Sequence, residues 1–520
     1  MRGRCFWAGA ALFLWCACGA EAPSRAQPQA PRLLVVGWDG AGFDHFDDLL
    51  EAGRMPALAA LLQRGTRAPL RSTVIPISSA AWPAIFTGQG PGHTGVYSFF
   101  DNVPGSYEQS LVSSRSIRAA PLWRILTRRE AASIVFGVPL TYPPEPILGT
   151  LVAGMLSPFD GDYAWPPGFA ERLRERGFVP DLESWKKDWN STWGDLEEQL
   201  ALKEEVLGEL LERDGWRLAF CVFKSPDVVA HKSYGTDLAQ NLDPLYERLD
   251  AILGRLVERV GPETNVLLIS DHGFGTYTRG FNLHAWLVSE GFAERKREAP
   301  SLLVSRGNIE EMMRSERADL LAELVLDRTT AFATRCEGNF GSLRLNLRGR
   351  EPEGAVAPEE KDEALRSIEA RLRAHPRIVD VWRSEALYPG PRRDSLPDLM
   401  FQTLAGVQVF AERGSQVVGD YPIALHDHER QGIFVGAGPA FRHVPAGALL
   451  DLVDIAPTVL HLLGEPVPDN MHGRVPIEWL TETREVASSE AEKAPSDPPG
   501  EAFTPGEIRE LEERLRSLGY

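Results

Sequence analysis

The chain has 520 residues, of which 43% are hydrophobic and 25% charged, enough for a large core and for more than one compact domain. Its net charge is −18, and an acidic surface repels the phosphate backbone of nucleic acids, so tight binding to such polymers is not expected. A small anionic substrate is not excluded, because bound cations would dominate the field inside a site.

The chain begins with a targeting pattern. Arg2 and Arg4 precede an apolar run from Phe6 to Ala17, too short to span a bilayer as a mature helix. Residues 1–18 therefore read as an export signal. Cys18, followed by Gly19, is a candidate for a lipid-anchored cysteine, the only membrane contact expected. The alternative is an ordinary cleaved signal that discards Cys18. Either way the expected location is periplasmic or on the outer surface. Residues 19–30 are rich in Ala, Pro, Gln and Ser and read as a tether. Of the five cysteines only Cys221 and Cys336 lie in the body, so no disulfide framework is supported. Cys221 sits in an apolar run and reads as a small buried hydrophobe.

Leu33 to Val36 is an unbroken apolar run, which suits a strand buried on both faces of a parallel sheet. It leads into Gly37-Trp38-Asp39-Gly40. Leu218 to Phe223 leads in the same way into Lys224-Ser225-Pro226-Asp227, and Val266 to Ile269 into Ser270-Asp271-His272-Gly273. Ile433 to Val435 forms a strand just after His428. Helical stretches, such as Leu196 to Glu212 and Leu245 to Val260, lie between these segments. Strands alternating with helices predict an α/β fold with a mostly parallel central sheet. Ligands of such sheets bind beyond the carboxyl ends of the strands.

Residues 277–420 differ in pattern. Leu302 to Leu326 is a mixed helical region, Gly338 to Gly341 a glycine-flanked turn, and Pro358 to Ala374 an acidic helix. The stretch reads as a smaller α+β cap insertion between two parts of the core, 31–276 and 421–480. Residues 481–503 are rich in Ser, Glu and Pro and read as a linker. A last helix is predicted from Pro505 to Leu518, with Thr504 and Glu507 as its capping box.

Hard and borderline metals need carboxylates and imidazoles brought to one point. Asp39 follows the first strand, although a turn or cap role is the plainer reading for a lone Asp. Asp227 and His231 stand four apart, which places both on one face if the segment after Pro226 is helical. The adjacent pair Asp271-His272 is the most specific local string, because both side chains are costly to bury unpaired. His428 precedes the last core strand, and His426 is its rival. Ser78 and its neighbour Ser79 open an apolar segment and could simply cap a helix. Beside a metal, such a hydroxyl can lose its proton and attack. His93 and His284 read as structural. Trp82, Phe99, Phe100 and Tyr163 read as core packing rather than as pocket lining.

These pieces occur in a meaningful order. An Asp ends the first strand, Ser78 stands nine residues before Thr87-Gly88, and a D-x-x-x-H motif, an S-D-H-G motif and a late His before Gly432-Ile433-Phe434 follow. Together with Pro91-Gly92-His93-Thr94-Gly95, Val453 to Thr458 and Pro468 to Arg474, they make the chain resemble the type I phosphodiesterase/nucleotide pyrophosphatase family, bacterial branch, of the alkaline phosphatase superfamily. The resemblance covers roughly residues 32–480. It implies an alkaline-phosphatase-like core and a two-metal hydrolase of small phosphate esters, acting on phosphodiester or nucleotide pyrophosphate bonds. It further implies that Asp39, Ser78, Asp271 and His272 surround one divalent ion, and that Asp227, His231 and His428 hold a second about 4 Å away. Zinc is the family expectation, with manganese or calcium as alternatives. Ser78 would attack phosphorus, and water would release the phosphoseryl intermediate.

The chain departs from the nucleotide pyrophosphatase pattern at two points. That branch uses Thr as nucleophile, where this chain has Ser. It also places a phosphate-binding Asn where this chain has Phe99, with Asn102 out of register. A phosphomonoesterase, a phosphonate hydrolase or a phosphoryl-transfer enzyme on the same site therefore stays open, as does a non-catalytic surface binding protein. A sulfatase is disfavoured, because Ser78-Ser79-Ala80-Ala81-Trp82 lacks the Pro and Arg of that branch's C/S-x-P-x-R string.

Overall fold

The unbroken apolar runs of the sequence become strands buried along their length, and their ends fall level at one edge of a single large sheet. The computed structural model describes residues 30–181, 189–233, 235–297, 317–392, 395–412, 414–493 and 501–517. The expected export signal with Cys18, nearly all of the tether, residues 302–316 and Leu518, the last residue of the expected final helix, lie outside the described residues.

Nine strands form the sheet: β1 (Leu33–Trp38), β2 (Thr66–Arg71), β3 (Ala132–Val138), β4 (Gly149–Ala153), β5 (Ala164–Trp165), β6 (Trp216–Phe223), β7 (Asn265–Ile269), β8 (Gln431–Ala437) and β9 (Leu450–Asp451). Their order in space is β9-β2-β8-β7-β1-β6-β3-β4-β5. β8 runs antiparallel to β2 and β7, and β5 antiparallel to β4, while the other neighbours pair in parallel. The sheet is therefore mostly parallel, as the alternating pattern predicts.

Register positions the functional edge. Trp38 lies opposite Phe223, and Gly37 opposite Ile269. Asp39, Lys224 and Ser270 consequently leave the sheet side by side. β8 enters the sheet at this same edge because it runs the other way. That is why His428 precedes its strand whereas the aspartates follow theirs.

Helices cover the sheet. Leu238–Val260 is amphipathic, burying Leu242, Leu245, Tyr246, Leu249, Ile252, Leu253 and Leu256 at three- and four-residue intervals, and the Asp237 side chain accepts from Ala239 N–H at its start. Trp189–Leu211 contains the helical stretch expected from Leu196. Ser78–Thr87 is buried at every position, as befits a helix that is apolar all round.

Residues expected to form the insertion build layers of their own. Ala331–Glu337, Phe340–Leu345, Leu399–Thr403 and Ile378–Arg383 form a four-stranded antiparallel sheet. The helix Lys361–Ala374 contributes Leu365, Ile368 and Leu372 to a hydrophobic cluster shared with Leu343, Leu345 and Phe401 and separate from the main core. A long antiparallel ribbon, Gly273–Asn282 against Val418–Glu429, joins insertion to core and pairs Phe274 with His428. The ribbon runs across positions 277 and 420.

The C-terminal stretch lies against the core. Ser488–Ser489 pairs with Val467–Pro468, and Glu492 takes an ion pair from Arg128 at 2.6 Å. The helix Pro505–Ser517 carries the expected capping box, with Thr504 N–H to Glu507 at 2.6 Å and Glu507 N–H to Thr504 at 3.3 Å. Its Leu511 and Leu515 are buried in the main core. Among the described residues, no helix is long and apolar enough to cross a membrane.

One close approach ties the sheet to the site. A Cβ on Gly37 would lie 2.5 Å from Trp82 Cη2 and 2.9 Å from Val222 Cγ2. Gly37→Ala is expected to lower stability by about 1–3 kcal/mol through overpacking. Urea or thermal denaturation measures it, and an unchanged midpoint would contradict the packing described.

Candidate metal centre

Asp39 leaves β1 with its N–H bonded to Phe223 O at 3.0 Å, and Asp227 N–H returns a bond to Asp39 O at 3.1 Å. Between them the chain must turn in little space. Gly40 has φ +73°, and a Cβ there would sit 2.9 Å from Phe274 and 3.2 Å from Asp227 Cα. Only glycine meets both demands without strain. The helix Ser225–Lys232 then places Asp227 and His231 on one face, with His231 Nε2 3.3 Å from Asp227 Oδ1.

Ser78 is the first residue of its helix. Its Oγ lies 3.3 Å from Asp39 Oδ1 and 3.3 Å from His272 Nε2. His272 Nε2 is 3.5 Å from both Asp39 Oδ1 and Asp271 Oδ2. Across the site, His428 Nε2 is 3.1 Å from Asp227 Oδ1 and 3.0 Å from His231 Nε2. The rings of His272 and His428 stack with centroids 3.8 Å apart. The structure thus brings all seven expected side chains, spread from Asp39 to His428, into one buried cluster.

The same geometry separates the rivals. Ser79 is also buried, but its Oγ has no hydrogen-bond partner among the described residues. His426 spends its ring nitrogens on Thr276 Oγ1 at 3.0 Å and Thr236 O at 3.1 Å. His93 packs its ring against His472, with centroids 4.3 Å apart. His284 is buried at the start of the helix Leu283–Ser289. Phe99 and Tyr163 are core residues, as expected, and Phe100 is half-buried against that core. Trp82 does more than fill space, because its indole N–H donates to Asp39 Oδ2 at 2.8 Å. The clue lay in spacing: Ser78 and Trp82 are four apart on a helix and share a face. Phe274, whose ring meets those of His231 and His428 at 4.9 Å, was also missed.

Electrostatics shows what the cluster lacks. Burial, followed by repulsion from Asp271 and Asp227, pushes the Asp39 carboxyl well above the usual range. Burial and then Asp227 push Asp271 up to about 8. Burial opposes ionisation of Asp227 too, but His231 and His428 outweigh it and hold that carboxyl well below its ordinary value. Burial, then His272, pushes the His428 imidazole down to about 3. Asp271 Oδ2 accepts no hydrogen bond among the described residues. Buried carboxylates that repel one another need positive charge from elsewhere. Oxygen and imidazole nitrogen donors suit a divalent cation, and two groupings offer them at close range: Asp227, His231 and His428, and Asp39, Asp227 and His272.

A third grouping, Glu337, Asp427 and His428, is different in kind. Asp427 accepts from Gly338 N–H at 2.9 Å, His428 N–H at 2.7 Å and Gln408 Nε2 at 2.5 Å, and Arg335 pairs with Glu337. Chain donors already satisfy Asp427, whereas burial pushes the Glu337 carboxyl well above its ordinary value even with Arg335 beside it.

The comparisons agree with the geometry. The model of the type I phosphodiesterase/nucleotide pyrophosphatase family matches residues 33–432. No match is found among curated protein sequences. Among solved structures, phosphonoacetate hydrolase from Sinorhizobium meliloti 1021 in complex with phosphonoformate is similar with a TM-score of 0.55 at 17% identity, covering 84% of this chain and 96% of that one. Human ectonucleotide pyrophosphatase/phosphodiesterase 5 is similar with a TM-score of 0.51 at 14% identity, covering 87% of this chain and all of that one. At such identities the likeness concerns the fold alone, a large, mostly parallel sheet flanked by helices. With 400 consecutive positions matched by the family model and its ordered motifs gathered at one sheet edge, this chain belongs to the type I phosphodiesterase/nucleotide pyrophosphatase family.

Proposed function

We propose that the chain hydrolyses phosphodiester or nucleotide pyrophosphate bonds, with Ser78 as nucleophile and two divalent ions, zinc by preference, held by the seven clustered side chains. The observation that carries this reading is the placement of Ser78 Oγ 3.3 Å from Asp39 Oδ1 and His272 Nε2. Membership of the family supports a phosphoric ester hydrolase acting on small phosphate esters. Asp39, Ser78, Asp271 and His272 would hold one ion, and Asp227, His231 and His428 the other. When bound, such ions offset the charge of the phosphate and lower the pKa of a coordinated hydroxyl or water.

The chain's own residues set the geometry. Trp82 fixes the Asp39 carboxylate by its 2.8 Å hydrogen bond. Ser78 heads a ten-residue helix, whose N-terminal dipole favours negative charge at the nucleophile. Ser78 Oγ forms a bond to phosphorus as the bond to the leaving oxygen breaks, and its proton departs toward the acceptors beside it. Water then displaces Ser78 from phosphorus and restores the hydroxyl. We assign residues 277–420 the role of a cap whose strands reach this edge through the ribbon that bears His428.

Phe99 is a core residue and offers no donor to a phosphate, so a monoester or phosphonate substrate is the second reading. We further infer export through residues 1–18, with Cys18 as lipid anchor.

Four outcomes follow. Ser78→Ala is expected to lower kcat/KM by about 10³-fold or more, whereas Ser79→Ala stays near wild type. Chelation should abolish turnover until zinc or manganese is returned, and a Ser78→Ala enzyme with full activity would refute the nucleophile assignment. In steady-state assays, bis-p-nitrophenyl phosphate should be cleaved faster than p-nitrophenyl phosphate or phosphonoacetate. The reverse order would favour the second reading. Cys18→Ser should move the exported protein from the membrane fraction to the soluble one, and a wild-type protein already soluble would exclude the anchor.

A further inference from the structure

The insertion makes close contact with one imidazole of the cluster. Glu337 ends the strand Ala331–Glu337 and is 3% exposed. Its Oε1 lies 3.6 Å from His428 Nδ1. The same Nδ1 is 2.6 Å from Pro76 O. Both neighbours are acceptors, so the ring proton belongs on Nδ1. Nε2 then keeps its lone pair on the side of Asp227 and His231, where a cation would sit.

The surroundings hold Glu337 in that place. Arg335, two residues earlier on the same strand, pairs with its carboxylate. Asp427 joins Gly338 N–H to Gln408 Nε2, so the carboxylate beside His428 clasps two segments of the insertion. Gly338 has φ +53°, and a Cβ there would lie 1.9 Å from His428 O. The turn after Glu337 thus presses directly on the backbone of His428, whose carbonyl also accepts from Tyr277 OH at 2.8 Å. None of Glu337, Arg335, Asp427, Gly338 and Tyr277 belongs to the seven clustered side chains.

We propose that Glu337 is a positioning residue for His428, so that docking of the insertion sets metal affinity as well as covering the site. The proposal rests on the metal reading above. In metal sites, a carboxylate behind a ligating imidazole fixes the ring orientation and strengthens the donor. Here Pro76 O takes the ring proton at 2.6 Å, and the Glu337 carboxyl, from the insertion, stands behind the ring at 3.6 Å. Loosening the insertion's grip at this point weakens the grip on a cation without removing any ligand.

The test is a competition titration of zinc or manganese into metal-free protein, using a chromophoric chelator. Glu337→Ala should weaken binding by about 10–100-fold, with kcat returning toward wild type when metal is in excess. Glu337→Gln, which keeps the shape, should fall between wild type and Glu337→Ala. Cobalt substitution adds a spectroscopic readout, because Glu337→Ala should shift the visible absorption of the bound ion. A general loosening of the insertion is controlled by Ile368→Ala, in the insertion's own hydrophobic cluster, which should leave affinity and spectrum unchanged below its melting transition. Wild-type affinity and spectrum in Glu337→Ala would overturn the proposal, as would equal losses in Ile368→Ala. Failure of the metal reading would look different: wild type and His428→Ala would then bind the metal equally poorly.

Discussion

Three carboxylates, Asp39, Asp227 and Asp271, are buried completely at one point. Burial alone disfavours their charge, and their mutual repulsion adds to it. The imidazoles of His231 and His428 relieve Asp227 only. A protein that carries such a cluster needs cations there, and the oxygen and nitrogen donors present are those that divalent ions accept. The contrast with Asp427 is instructive. That carboxylate is also buried, yet chain donors satisfy it.

The sheet supplies the convergence. Three parallel strands in register deliver Asp39, Asp227 and Asp271 to a common edge, and one antiparallel strand starts there after His428. The reversed strand lets the chain leave the core through the ribbon, build the insertion and return to the same place. Trp82 and Gly37 show how tightly core and site are joined. The indole that fixes Asp39 also packs where a methyl on β1 would intrude.

Much of this was legible in sequence because it depends on local rules. Apolar runs ending in Asp mark buried strands, and D-x-x-x-H marks one face of a helix turn. The capping box at Thr504 and Glu507 likewise needs only four residues. Choices between neighbours were only partly legible. The spacing to Thr87-Gly88 favours Ser78 over Ser79, but only the fold shows that His426 is occupied by Thr276 and Thr236. Residues 481–493 read as a linker because backbone pairing and ion pairs, rather than apolar periodicity, hold them to the core. Glu337 was invisible for a similar reason. Its partner is far along the chain, and the strand around it carries no metal-ligand spacing.

The seven side chains from Asp39 to His428 are proposed to grip a pair of divalent ions. Crystals of the metal-loaded protein, measured at the absorption edge of the added metal, test it most directly. Two anomalous peaks are expected, one among Asp39, Ser78, Asp271 and His272 and one among Asp227, His231 and His428. A fully loaded, active protein with no peak at these residues, or with its peaks elsewhere, would contradict it.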